Sequence, residues 1–337
     1  MFSPALNWTH TVVIRFIVVF IVLAAGPRPE VVSAAVFAGQ ISTPETPTSE
    51  QETIGNKRLQ EAGGDQAIPS KTFPKTLFEA ITRKKDNTGT NEPVESTEPE
   101  RLDPDRPHLP EASTTAGRGT IILEGGYTFN ERKLSSFSAH DAPEALFRAG
   151  IFAEWFEVRI GQNFLKQERS ISGIVSRSAG IQDLYLGAKV ALNEQKRYLP
   201  AIALIPQMTV PTGNQEVTGG RVLPGLNVDG NWAVIKNRYS IEFVVANNRV
   251  ADDVHHSHYE LATGFTHAFQ LSRKLEAFGE WDVFHGSIEP EATARHYAVG
   301  GLVFFATKEF AVDFRAGAGL NAQANRFLIG TGFAFRR

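Results

Sequence analysis

Polar and apolar side chains alternate with a period of two along much of this chain. Over residues 183–190, each odd position is polar or glycine and each even position is apolar. Successive side chains of a β-strand point to opposite faces, so this period predicts a strand with one wet face and one apolar face. A polar segment, 193–197, then separates it from an apolar run, 199–210. The stretch 179–213 therefore predicts two strands joined by a turn.

The same alternation continues over residues 118–337, where charges and glycines occupy the positions opposite the apolar ones. About twelve such runs fill roughly 219 residues, which suits strands of about ten residues with their turns. A soluble β-sandwich leaves its polar face in open solvent, whereas this polar face mixes opposite charges with glycine. The pattern predicts an all-β fold, a transmembrane antiparallel up-and-down β-barrel of about 12 strands.

The charges on the polar face are the candidate lumen-lining residues. They are Glu124, Arg148, Glu157, Arg159, Asp183, Lys189, Glu280, Asp313 and Arg315. Unpaired charges are costly inside a barrel, so we expect a network of ion pairs across a narrow lumen. Asp183 and Lys189 share one face, and we interpret them as part of the charge pairs that hold the barrel closed, with a substrate path as the alternative.

The first 117 residues have a different composition. The apolar run 16–25 has the length of a secretory signal core and about half the length of a membrane-spanning helix. Residues 1–34 are therefore predicted to be a signal peptide, with an uncleaved N-terminal anchor as the alternative. Residues 35–117 are rich in Pro, Glu, Thr and Ser and predict a disordered periplasmic spacer, because they bury too little apolar surface to offset backbone entropy. Residues 75–85 have the spacing of a short helix, which either docks on a partner or the barrel or fluctuates without a role.

Composition and motifs exclude several chemistries. A net charge of −3 without a basic patch argues against nucleic acid as a partner, and the absence of cysteine excludes disulfides and thiolate sites. His255, His256 and His258 lie beside carboxylates, but without a second ligand set they predict a solvated loop and no metal site. Ser257 precedes His258, yet neighbours on a strand face opposite sides and no third residue completes a triad. We therefore predict no catalytic residue, no metal and no cofactor.

Several segments resemble one protein family. The sequence GIQDLYLGAK at 180–189, with 199–204 and 210–213, resembles the central motif of the outer-membrane barrels grouped as the MetA-pathway of phenol degradation or transporter-like family. Segments 278–280, 310–315 and 330–335 resemble its later strands. The resemblance covers 119–337 and implies a barrel of about twelve strands in a Gram-negative-type outer membrane.

The resemblance also implies partners and a role. It implies contact with outer-membrane lipid, passage of small solutes that include aromatic ones, and insertion by the barrel-assembly machinery. That machinery reads a terminal aromatic residue in such barrels, whereas Arg336 and Arg337 follow Phe335 here.

Three functions remain open from the sequence. The first is an outer-membrane barrel that passes small molecules, including aromatic or hydrophobic ones, through a narrow charged lumen. The alternatives are a structural or adhesive surface barrel whose spacer reaches a partner, and an outer-membrane barrel hydrolase. A serine-reactive probe distinguishes the hydrolase from the others, and deletion of 39–117 distinguishes the structural barrel from the channel.

Overall fold

The computed structural model describes residues 75–82, 101–132, 137–171, 174–251, 256–287 and 293–337. All of them belong to one compact unit, Ile68–Arg337. No helix within these ranges has the length and apolar character needed to span a membrane. The predicted signal peptide and most of the predicted spacer lie outside the described residues.

The described residues form one short helix and thirteen strands. The helix α1 is Leu77–Thr82, which lies within the helix predicted over 75–85. The strands are β1 (Ile121–Arg132), β2 (Phe137–Gly150), β3 (Phe156–Ile171), β4 (Ile174–Ile181), β5 (Leu184–Asn193), β6 (Ala201–Val210), β7 (Leu223–Ile235), β8 (Tyr239–Ala251), β9 (Ser257–Ser272), β10 (Leu275–Gly286), β11 (Arg295–Phe305), β12 (Phe310–Gly319) and β13 (Phe327–Arg336). The predicted hairpin at 179–213 contains β5 and β6, and its first residues belong to β4.

The strands form one closed antiparallel barrel. β1 closes the sheet by pairing with β13, with Leu123 opposite Phe335. β4 and β5 both pair with the edge of β3 that faces away from β2, where Phe164 is opposite Ile181 and Ile160 is opposite Leu186. They are therefore two halves of one barrel position, interrupted at residues 182–183. The barrel has twelve positions, which confirms the predicted fold.

Alternation along each strand separates two faces of the wall. Outward-facing aromatic residues that are 45–48% exposed include Phe265, Trp281, Phe304 and Phe333. Inward-facing neighbours that are at most 7% exposed include Thr266, Glu280, Asp282 and Val303. An apolar, aromatic outer surface is the surface that a bilayer covers in this class of fold.

The two ends of the barrel differ in their connections. At one end, consecutive strands are joined by residues 236–238, 273–274 and 306–309. The first residue of β1 and the last residue of β13 also lie at this end. At the other end the connections include 211–222 and 320–326. These are termed the short-turn end and the long-loop end. In outer-membrane barrels short turns face the periplasm and longer loops face outwards.

Residues 101–117 lie inside the barrel and are termed the plug. They contact inward-facing side chains of β1, β2, β3, β5, β7, β8, β10 and β12, so the wall surrounds them. Pro107 and Pro110 are fully buried there. Gly117 and Gly119, each with φ of +80°, connect the plug to β1.

The plug corrects one prediction. The disordered spacer was predicted to extend to residue 117, whereas residues 101–117 occupy defined positions. Composition predicts disorder because the segment has few apolar residues, but its order comes from ion pairs and backbone hydrogen bonds with the barrel wall. Those partners lie far away in sequence, so local composition does not reveal them.

Candidate functional site in the plugged lumen

Asp105 is the central contact between the plug and the wall. One of its carboxylate oxygens accepts a hydrogen bond from Lys189 Nζ at 2.6 Å, and the other accepts one from Arg159 Nη1 at 2.5 Å. Arg148 Nε lies 3.1 Å from the second oxygen. These four residues are termed the latch, and each is at most 5% exposed. Burial raises the pKa of Asp105, but the three cations outweigh it and hold that pKa below its ordinary value.

The wall residues around the latch also pair with one another. Arg148 donates to Glu124 at 2.8 Å and to Glu157 at 2.9 Å. Arg159 Nη2 lies 2.7 Å from the carboxylate of Glu111, a plug residue. A buried charge is tolerated when it has an opposite charge and hydrogen bonds, and Arg148, Arg159, Glu124 and Glu157 each have both.

Arg106 attaches the plug to the wall beside the latch. Its Nη1 lies 2.5 Å from the Glu144 carboxylate and its Nε lies 3.4 Å from Asp313. Arg315 Nη1 donates to the Pro107 carbonyl at 2.7 Å. The plug is therefore attached to β12 as well as to the latch strands, and it is attached to β2 a second time through Glu144.

His108 and Leu109 attach the plug to β8 and β10. His108 Nδ1 lies 3.3 Å from the Glu242 carboxylate, and its ring packs edge-on against Phe278 with centroids 4.3 Å apart. The Leu109 N–H donates to Glu280 at 3.2 Å. Burial lowers the pKa of the His108 imidazole, but the hydrogen bond and negative charge of Glu242 outweigh it, so that pKa is raised above its ordinary value.

The plug separates two chambers. The chamber toward the long-loop end, termed the vestibule, has a volume of about 940 Å³. The chamber toward the short-turn end has a volume of about 1330 Å³. Arg106 and His108 line both chambers, so they form part of the partition between them.

The structure brings eight of the nine predicted lumen residues to the plug. Those that surround the latch are Glu124, Arg148, Glu157, Arg159 and Lys189. Those that contact residues 106–109 are Glu280, Asp313 and Arg315. Their role in a solute path stays a prediction.

Asp183 lies elsewhere, and its partners are uncharged groups of a loop where the sequence predicted charge pairs. Its Oδ1 accepts hydrogen bonds from Gly213 N at 3.1 Å and Thr218 Oγ1 at 2.5 Å, and its Oδ2 accepts one from Gly219 N at 2.8 Å. Residues six positions apart on extended chain are separated by about 20 Å, so a shared face does not bring the side chains of Asp183 and Lys189 together. Asp183 instead anchors the 211–222 connection at the mouth of the vestibule.

Sequence reasoning missed the plug's own functional groups and several wall acids. They are Asp105, Arg106, His108, Glu111, Glu144, Asp229, Glu242 and Asp282. Two signals were available. Pro104, Pro107 and Pro110 recur at a spacing of three, which is typical of a stiff extended segment. Glu242 and Asp282 have the inward parity of their strands.

The candidates Ser257 and His258 lie at the long-loop end. His255 is outside the described residues, and His258 is buried. The Ser257 hydroxyl accepts a hydrogen bond from Arg249 Nε at 3.0 Å. Within the described ranges, no group of three or more His, Asp or Glu side chains is arranged to hold a metal ion.

Comparison with known families identifies the chain. The family model described as "Putative MetA-pathway of phenol degradation" matches residues 104–336. The chain belongs to this family. The match confirms the resemblance found in the sequence, and it begins within the plug. No curated protein sequence matches the chain.

Solved structures of low identity share the fold. An outer membrane channel from Pseudomonas putida F1 is 11% identical, with 68% of this chain and 100% of that chain covered and a TM-score of 0.58. The NanC porin is 8% identical, with 64% and 98% covered and a TM-score of 0.40. The translocator domain of the autotransporter NalP from Neisseria meningitidis is 9% identical, with 65% and 88% covered and a TM-score of 0.42. The first of these likenesses shows that this chain has an outer-membrane barrel fold.

Proposed function

We propose that this chain is an outer-membrane channel for small solutes, closed at rest by its own plug. The observation that carries the proposal is the latch, in which the Asp105 carboxylate contacts Arg148, Arg159 and Lys189 from three neighbouring strand positions. A solute that crosses the barrel must pass the plug. Shifting or releasing residues 105–109 joins the two chambers into one path.

The two chambers favour a channel over a purely structural barrel. A small barrel that serves only as a scaffold is typically filled by its own side chains. Here water-sized space of about 940 Å³ and about 1330 Å³ remains on the two sides of the partition. A water molecule occupies about 30 Å³ in the liquid, so each chamber has room for many water molecules. An adhesive or structural role requires neither chamber.

The direction of the plug supports a periplasmic location for the chain before it. The Leu102 N–H donates to the Lys308 carbonyl, and Arg101 pairs with Glu276, both at the short-turn end. The chain therefore enters the lumen from the side that faces the periplasm in such barrels. We accordingly propose that residues 35–100 are periplasmic, that outer-membrane lipid contacts the aromatic outer face, and that the barrel-assembly machinery inserts the chain.

Single-channel conductance in planar bilayers tests the proposal. In Asp105→Ala the three latch cations lose their common partner, and we expect the open fraction to rise at least tenfold over the wild type. Lys189→Met removes one cation from the same cluster and should act in the same direction. Glu168→Gln is the matched control, because it breaks an exposed ion pair with Arg177 on the wall, at 2.7 Å, and leaves the lumen intact.

Folding is monitored in each variant by anomalous gel mobility before and after boiling. A wild type and an Asp105→Ala variant that are both folded and both non-conducting would overturn the channel and favour a structural barrel. Equal conductance in Asp105→Ala, Lys189→Met and the wild type would show that the latch does not close the lumen.

A further inference from the structure

One wall of the vestibule carries a cluster of amide and hydroxyl groups on four consecutive strands, β5 to β8. Tyr185, Gln207 and Asn227 line the vestibule, and Asn248 forms hydrogen bonds with Gln207 and Asn227. Gln207 Nε2 donates to Asn227 Oδ1 at 3.1 Å and to Asn248 Oδ1 at 2.9 Å. Asn248 Nδ2 donates to Asn227 Oδ1 at 3.3 Å. These four residues are termed the amide patch.

Two glycines give the amide patch its shape. Gly187 and Gly225 lie on either side of Gln207 in the strand register. A Cβ at Gly187 would lie 2.7 Å from Tyr185 Oη, and a Cβ at Gly225 would lie 1.8 Å from Asn248 Oδ1. The missing side chains therefore let the tyrosine and the asparagine lie against the wall. The patch is a shaped polar surface with its side chains fixed by packing and hydrogen bonds.

The internal bonding leaves specific groups for a ligand. Among the described residues, Gln207 Oε1 and Asn227 Nδ2 have no hydrogen-bond partner, and both belong to side chains that line the vestibule. The Tyr185 hydroxyl accepts from Arg159 Nε at 3.3 Å and retains its own proton for donation. The patch thus presents one acceptor and two donor groups without a formal charge.

This chemistry selects a ligand class. A surface with neutral donors and acceptors is matched by a neutral molecule rich in hydroxyl groups, because each hydroxyl both donates and accepts. An apolar solute leaves such groups desolvated and unpaired, which opposes its binding. Among the described residues that line the vestibule, Tyr185 alone carries a phenyl-type ring, so stacking surface for aromatic solutes is scarce.

We infer that the amide patch is a binding site for an uncharged polyhydroxylated solute, such as a monosaccharide or a polyol. The inference deepens the proposed function, since the bound solute is the one that the open channel passes. It differs from the aromatic solutes that the sequence resemblance implies.

Saturation-transfer NMR on the full chain in detergent tests the inference with glucose, sorbitol and phenol as probes. We expect saturable binding of glucose and sorbitol to the wild type and none of phenol. Gln207→Leu should weaken glucose binding about tenfold, through loss of the patch's hydrogen bonds. Gln167→Leu is the matched control: Gln167 also lines the vestibule, on β3, and donates to Ser178 Oγ at 2.8 Å.

Tyr185→Phe provides a second variant that keeps the ring and removes only the hydroxyl group, so it should fold and bind glucose several-fold more weakly. The inference is wrong if phenol binds and glucose does not, or if glucose binds equally to the wild type, Gln207→Leu and Tyr185→Phe. Binding in detergent does not require passage. If glucose binds but Asp105→Ala does not conduct, the binding site is supported and the channel is refuted. If the channel conducts but glucose does not bind, the channel is supported and the binding site is refuted.

Discussion

Gly126 and Gly332 lie directly opposite each other where β1 meets β13, and the Arg106 side chain occupies the space that their missing side chains leave. A Cβ at Gly126 would lie 2.3 Å from Arg106 Cζ, and one at Gly332 would lie 2.4 Å from Arg106 Nε. The closing seam of the barrel is therefore shaped to admit a side chain from the plug. This explains why β1 and β13 each carry a glycine at this inward position.

Gly126→Ala is expected to displace Arg106 without breaking the barrel. The three atoms nearest to the added Cβ all belong to the Arg106 guanidinium, so the flexible side chain moves and the backbone does not. Its bonds to Glu144 and Asp313 are charge-assisted and contribute about 1.5 to 3 kcal/mol each. We expect at least a tenfold rise in open fraction in planar bilayers, with heat-modifiable gel mobility retained.

Gly279→Ala is the matched control for this substitution, because nothing lies within 4 Å of the added Cβ. Combining Gly126→Ala with Arg106→Ala closes a double-mutant cycle. If the two changes act through the same contact, the double variant opens no more than Arg106→Ala alone. Additive effects would mean that the glycine acts on the barrel and not on the plug.

Leu102→Ala is expected to loosen the short-turn end of the plug. Leu102 is 1% exposed and packs in a cluster with Ile122, Val303 and Phe305. Truncation of a buried leucine costs about 2 to 5 kcal/mol, and here the loss falls on the docking of the plug. Amide hydrogen exchange should accelerate at least tenfold in residues 101–106 and remain unchanged in β1 to β13.

The outward-facing Leu302, the residue before Val303 on β11, provides the control as Leu302→Ala, because it points away from the lumen. Uniformly faster exchange throughout the barrel in Leu102→Ala would contradict a docking role specific to the plug.

The contact of His108 predicts that the channel opens more at alkaline pH. The pKa of His108 is raised above its ordinary value of 6.5, with Glu242 on β8 and Glu280 and Glu276 on β10 as the carboxylates that face it. A raised pKa means that the imidazolium stabilises the plug fully below that ordinary value, and that this contribution is lost as the pH rises through the raised pKa. The open fraction should therefore increase on the alkaline side.

Conductance recorded from about pH 5 to about pH 9 measures this dependence. His108→Gln should abolish the alkaline increase. His296→Gln should leave it unchanged, because His296 stacks on the outward-facing Trp281. An identical pH profile in all three proteins would exclude His108 as the responsible group.

Asp183→Asn is expected to release the 211–222 connection while the barrel stays folded. The carboxylate accepts three hydrogen bonds from that connection, through Gly213, Thr218 and Gly219, and the amide accepts with one oxygen only. Hydrogen exchange at the Gly213 and Gly219 amides should accelerate about tenfold to a hundredfold. Glu216→Gln makes the same chemical change on the same connection and should not alter that exchange. Unchanged exchange in Asp183→Asn would refute the anchoring role.

The sequence predicts the strands of the barrel wall better than it predicts the plug inside the barrel. Arg148, Arg159 and Lys189 were identified as inward because neighbouring strand residues face opposite sides, and closure of the sheet makes one of those sides the lumen. Whether a residue has an odd or an even position in a strand determines which face its side chain is on. It does not determine how far along the barrel axis that side chain lies. That is why Asp183 and Lys189 share a face yet contact different partners.

The ordered plug is not predicted from the sequence, for a different reason. The partners of Asp105 lie on three barrel positions, and Lys189 is 84 residues away in the chain. No local period indicates such contacts, and the low apolar content of residues 101–117 is typical of disorder. Order here depends on buried charge pairs, which only the assembled wall supplies.

Gly117 and Gly119 join the plug to β1, which makes the closing element a tethered ligand of its own channel. A segment held by a short flexible link competes for its site at an effective concentration in the millimolar range. Closure is therefore unimolecular and does not depend on how many channels the membrane holds. A solute that binds the latch with the same affinity as the plug must reach that concentration to open the channel, so such opening requires an abundant solute.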